Sequence, residues 1–68
     1  MKISARNQLE GTVRRIRRGE AIANVELEVA GQRLVASITV DAVEELGLTE
    51  GTAVTALIKA SDVMLATG

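Results

Sequence analysis

The chain has 68 residues, with 8 Lys and Arg against 9 Asp and Glu for a net charge of −1, and 47% of it is hydrophobic. That length holds one small domain, read here as residues 1–68. Cys, His, Pro, Phe, Tyr and Trp are all absent. Their absence excludes a disulfide frame, a thiolate nucleophile, a Cys/His metal site and an aromatic platform for stacking bases.

The balanced charge argues against a large phosphate-binding surface. No apolar leader-like segment and no run of about 18 apolar residues occurs, which predicts a cytoplasmic protein without a span. A domain this small is marginally stable alone, and natural chains below roughly 70–80 residues usually add a disulfide, a metal or oligomerisation. With the first two excluded, oligomerisation is the expected supplement.

The first strand is predicted over Ile3 to Arg18. Leu9, Gly11 and Val13 share one face, but Ile16 falls on the opposite parity. One extra residue at Arg14–Arg15 restores the alternation, so a β-bulge is expected there. Gly11 suits a sharp coil of the strand. Gly19-Glu20 reads as a hairpin turn.

Ala21, Ala23, Val25, Leu27 and Val29 then alternate with Ile22, Asn24, Glu26 and Glu28, the cleanest strand pattern in the chain. Ala30-Gly31-Gln32 turns the chain. Leu34, Ala36 and Ile38 alternate with Arg33, Val35, Ser37 and Thr39.

The period next becomes helical through Val40, Val43 and Leu46. Asp41 with Glu44 fits a capping box, Thr39 is the alternative N-cap, and Gly47 fits the C′ position. After the turn Leu48–Gly51, Val54, Ala56 and Ile58 alternate with Ala53, Thr55 and Leu57, and a last short strand is predicted over Val63–Leu65. The predicted class is all-β with one short helix, an OB-like five-stranded barrel whose helix plugs one end. Ile22, Val35 and Leu57 lie on outer faces of three strands, which suggests covered subunit contacts and an oligomer.

Chemistry concentrates at the two ends. Ser4-Ala5-Arg6-Asn7 offers a hydroxyl, a guanidinium and a carboxamide, and Lys59-Ala60-Ser61 an ammonium and a hydroxyl. Such donors suit a tetrahedral oxyanion. Solvated strand-end charges and satisfied turns would produce the same pattern.

Arg14, Arg15, Arg17 and Arg18 form the one basic cluster. It reads either as a nucleic-acid-binding surface of an OB module or as a hairpin tip offset by Glu20, Glu26 and Glu28. Asp41, Glu44, Glu45 and Glu50 read as helix capping and a soluble outer face. No phosphate loop, triad or metal-spaced ligand set occurs, so an enzyme is not expected.

Met1-Lys2-Ile3-Ser4-Ala5-Arg6-Asn7-Gln8-Leu9 with Gly11 and Val13, then Ala42-Val43-Glu44-Glu45-Leu46-Gly47-Leu48 with Gly51, and finally Ile58-Lys59-Ala60-Ser61-Asp62-Val63-Met64 together resemble the Mop (molbindin) family over nearly the whole chain. The resemblance implies a cytoplasmic protein that binds molybdate or tungstate for storage. It also implies an OB-like barrel assembled as a hexamer, a trimer of dimers, with the oxyanions bound between subunits. By the same resemblance, one class of site pairs Ser4, Ala5, Arg6 and Asn7 of one subunit with Lys59, Ala60 and Ser61 of another. A second class lies near the three-fold axis, for which Gly19, Glu20, Ile22 and Ser37 are the candidates. The Arg14–Arg18 run is more basic than the resemblance leads one to expect, which leaves room for a further partner at that surface.

Overall fold

A computed structural model describes all 68 residues. It contains strands β1 (Asn7–Arg18), β2 (Ile22–Val29) and β3 (Gln32–Thr39), helix α1 (Val40–Glu45) and strand β4 (Ala53–Ile58), followed by a 3-10 turn at Ala60–Asp62. The strands form one antiparallel sheet in the order β3-β2-β1-β4. No helix is long and apolar enough to cross a membrane.

The bulge is where the broken parity placed it. Val13 faces Leu27 and Arg15 faces Glu26, so Arg14 is the extra residue. The inserted residue returns Ile16 to the face of Val13 and sends Arg15 and Arg17 to the other. Five residues upstream of Ile16, β1 passes very close to β2: a Cβ on Gly11 would lie 2.7 Å from Val29 Cγ2 and 2.8 Å from the Glu28 carbonyl oxygen. Only a residue without a side chain fits there.

Ala30 and Gly31 form the two-residue turn between β2 and β3, both with positive φ, 50° and 80°. Those angles match a type I′ turn, whose twist suits a hairpin. The Glu28 carboxylate accepts the Gly31 N–H at 2.7 Å and closes it.

Thr39, not Asp41, caps α1: its Oγ1 accepts the Ala42 N–H at 3.0 Å. The expected Asp41 cap fails because the helix begins one residue after Thr39, which puts Asp41 inside the first turn, where its charge still favours the helix N-terminus. At the other end Gly47 takes φ 64°, and Gly47 N–H and Leu48 N–H bond the carbonyls of Glu44 and Val43. This paired pattern is a Schellman motif, which turns Leu48 back into the core.

Val13, Ala23, Val25, Leu27, Val43 and Leu48 are buried, ringed by half-buried Ile16, Val29, Leu34, Ala36, Ile38, Val40, Val54 and Ala56. At about 1.5–3 kcal/mol per fully buried side chain, six buried residues make a thin core for a folded chain.

Two further expectations are corrected. The first strand starts at Asn7 rather than Ile3, because the Arg6 guanidinium bonds the carbonyls of Ser4 and Ile3 and holds that segment in a local loop. Val63–Leu65 is not a strand: the 3-10 turn carries the chain off the edge of β4, no strand adjoins it, and Met64 and Leu65 are 92% and 93% exposed. The sheet therefore has four strands and does not close. The edges of β3 and β4 flank an open apolar groove of about 480 Å³, lined in part by Leu34, Ile38, Leu46, Val54 and Ile58.

Candidate functional site

The two donor-rich segments meet at one end of the sheet. Asn7 opens β1 and pairs with Ile58, the last residue of β4. Its carboxamide Nδ2 donates to the Ile58 carbonyl at 3.2 Å, so Ser4–Asn7 and Lys59–Ser61 leave the sheet side by side. Ser4, Arg6, Lys59, Ala60 and Ser61 are exposed, and Ala5 and Asn7 are half-buried.

Each segment has a local reason for its shape. Arg6 Nε donates to the Ser4 carbonyl at 3.0 Å and its Nη2 to the Ile3 carbonyl at 3.3 Å, so the guanidinium fastens its own loop. Across from it, Lys59 is extended and caps the 3-10 turn, which Asp62 N–H and Val63 N–H close onto the carbonyls of Lys59 and Ala60. The hydroxyls of Ser4 and Ser61 and the Lys59 ammonium have no partner within the chain, and no carboxylate forms an ion pair with Arg6 or Lys59. Unspent donors of both kinds, neutral and cationic, are what an oxyanion requires.

The other candidates lie at the far end of β1. Gly19 and Glu20 form the hairpin turn, closed by Gly19 N–H on the Ile22 carbonyl at 2.8 Å. Ile22 pairs with Thr39 and Ser37 with Asn24, which puts Ile22 and Ser37 diagonally on the outer face of β2 and β3. This group is not brought near Ser4–Asn7 or Lys59–Ser61 within one chain.

The basic cluster differs from its sequence reading. Glu26 pairs with Arg33 of β3, not with an arginine of β1, and Glu28 is engaged by the turn. The direct ion pair of Glu26 goes to Arg33, so Glu26 offsets the arginine run only at longer range, and Arg14, Arg15, Arg17 and Arg18 have no carboxylate within ion-pair distance. The Arg33 bond holds the Glu26 carboxyl below the usual carboxylate range, with the charges of Arg33, Arg14 and Arg15 adding to it and partial desolvation opposing. Reading the sequence as a contiguous run missed Arg33. The signal was its alternation with Val35 on an outward face.

Residues 3–65 match the profile of the TOBE domain. The chain is 52% identical over 66 residues to molybdenum-pterin-binding protein 3 of Clostridium pasteurianum, covering 96% of this chain and 97% of that one. Among solved structures, a molybdate-binding protein from Sporomusa ovata superposes with a TM-score of 0.94 at 45% identity, covering 98% of this chain and all of the other. The cytoplasmic molybdate-binding protein ModG, solved with molybdate bound, superposes with a TM-score of 0.85 at 35% identity, covering 96% of this chain and 53% of that one. With a domain profile spanning residues 3–65 and half-identical relatives matching end to end, the chain belongs to the TOBE domain family and, within it, to the molybdenum-pterin-binding Mop (molbindin) group.

Proposed function

We propose that this protein is a cytoplasmic, non-enzymatic binder of molybdate, with tungstate as the alternative oxyanion, that stores the anion at sites between subunits of a homo-oligomer. The observation that carries the reading is the Asn7–Ile58 junction, which sets two donor segments side by side with their hydroxyls and ammonium unspent. Ser4 and Ser61 donate O–H bonds, Lys59 supplies charge, and the backbone at Ala5 and Ala60 supplies N–H bonds. Arg6 fixes the loop while adding a second positive charge, and Asn7 anchors the strand end. Relatives named for molybdate binding supply the ligand class.

A second subunit is required by electrostatics. A dianion gains little from donors that stay in water, and a single chain leaves Ser4, Arg6, Lys59 and Ser61 exposed. When another copy covers the segment, the anion is dehydrated and encircled at once. Exposed Ile22 and Leu57, the open groove and the apolar Val63–Leu65 tail are the surfaces for such an assembly. A hexamer built as a trimer of dimers repeats the site by symmetry. Gly19, Glu20, Ile22 and Ser37 are assigned to a second class of site near its three-fold axis. The whole chain of residues 1–68 acts as one domain in this reading.

Native mass spectrometry with molybdate, and with sulfate as control, tests the proposal. The expected result is a hexamer that gains several molybdates and no sulfates. A monomer that ignores molybdate refutes it.

A further inference from the structure

The outward face of β1, β2 and β3 holds a hollow of about 150 Å³ lined by Arg15, Arg17, Asn24, Glu26, Arg33 and Val35. Its construction follows from two local features. The bulge at Arg14 puts Arg15 and Arg17 on this face, opposite Glu26 and Asn24. The tight turn at Ala30-Gly31 sets the β2–β3 register, which brings Arg33 back beside Glu26. Three guanidiniums against one carboxylate leave a net charge that matches a dianion.

We propose that this hollow is a further anion site, lined by none of the residues of the sheet-end site or of the site assigned near the three-fold axis, and selective for phosphate. Arg15 and Arg17 are free of carboxylates, and their planar forks suit bidentate bonding to a phosphate oxygen pair. Arg33 is held in place by Glu26 Oε1, and the Asn24 carboxamide adds a neutral donor. The volume admits one tetrahedral group with a few waters. No aromatic residue exists to stack a base, so the face is not equipped to follow a single strand of nucleic acid.

Glu26 supplies the selectivity. Its Oε2 has no bond within the chain. A carboxylate in an anion site favours a ligand that retains a proton. Hydrogen phosphate donates its O–H to Oε2, whereas sulfate and molybdate, fully ionised near neutral pH, meet it only as like charges. This site therefore selects against the oxyanion proposed for the sheet end, and it stands or falls separately from that reading.

The test is calorimetric titration of the intact protein with inorganic phosphate, sulfate and molybdate at constant ionic strength. Saturable binding of one phosphate per chain is expected, with sulfate weaker. Arg17→Gln with Arg33→Gln lowers phosphate affinity by about tenfold or more, the loss of charge-assisted bonds, and leaves molybdate uptake and the circular dichroism spectrum unchanged. Arg15→Gln is the second variant if the first pair perturbs the fold. Glu26→Gln abolishes the preference for phosphate over sulfate. A phosphate monoester compared with inorganic phosphate at pH 5, below its second pKa of about 6 so that it keeps a proton, separates two supporting outcomes: equal binding means the site accepts the end of a phosphorylated molecule, and weaker binding means it takes the free ion. Absence of saturable phosphate binding, or binding untouched by the arginine substitutions, overturns the proposal. So does retention of a single-stranded oligonucleotide that phosphate fails to displace.

Discussion

Asn7 and Ile58 face each other across β1 and β4, and the Asn7 side chain donates to the carbonyl of its own partner at 3.2 Å. This bond lies at the end of the β1–β4 ladder, and it ties together the two segments that carry the donors. Asn7→Ala removes it from a half-buried position. The expected cost is about 1 kcal/mol of stability, read by thermal denaturation, with a weaker molybdate affinity in calorimetry. If affinity is unchanged while the Tm falls, the junction serves the fold alone.

The Ser4 and Lys59 side chains make no hydrogen bond or ion pair inside the chain, so truncating them leaves the folded chain's own bonds intact. Ser4→Ala with Lys59→Ala is expected to weaken molybdate binding by about tenfold or more, the scale of losing one charge-assisted bond. Unchanged molybdate affinity with an unchanged circular dichroism spectrum would remove these residues from the site.

Gly11 tests the close passage of β1 over β2. A methyl group there meets the Glu28 carbonyl at 2.8 Å, and a backbone atom cannot swing aside as a side chain can. Gly11→Ala is expected to destabilise by about 1–3 kcal/mol, the range for overpacking. Urea denaturation reads the change, and an unshifted midpoint would show that the strands part easily.

Ala30 sits at φ 50°, in the left-handed region that costs a residue with a Cβ. Ala30→Asn or Ala30→Gly places a favoured residue at the first position of the type I′ turn. A gain of about 0.5–1 kcal/mol is expected, seen as a raised Tm with unchanged ligand binding.

Glu26 gives a pH signature. Its carboxyl is depressed in the folded chain, chiefly by the Arg33 bond. The folded state therefore holds this proton less tightly than the unfolded state does. The stabilisation is present above the unfolded carboxyl pKa and is lost as pH falls through the lower, folded value. Glu26→Gln is expected to flatten the fall of Tm with acid. The effect is small because water reaches the pair through its largely exposed Arg33, and an identical acid profile in the variant would show that the pair contributes nothing.

The local elements were legible in the sequence because each is written in adjacent residues. Alternation from Ala23 to Leu27 marked β2, and the parity break between Val13 and Ile16 located the bulge to within one residue. Gly47 announced the helix end. The N-cap was harder, since Thr39 and Asp41 are both good caps and only the bond to Ala42 N–H decides between them. The predicted strand at Val63–Leu65 has a strand-like composition, but a strand exists only where another supplies hydrogen bonds, and this chain places none beside it.

The sequence alone determined most of the inventory: β1 to β4 and α1 in their order, though with a fifth strand that does not form, a thin core, donors gathered at the two ends and a family likeness over nearly the whole length. Tertiary structure decided which of those residues are neighbours. Asn7 meets Ile58 across 51 positions, and Arg33 takes the carboxylate that the arginine run was expected to share. Periodicity is a property of consecutive residues, whereas pairing is set by strand order and register. Charges on neighbouring strands acquire their partners only when the sheet is built.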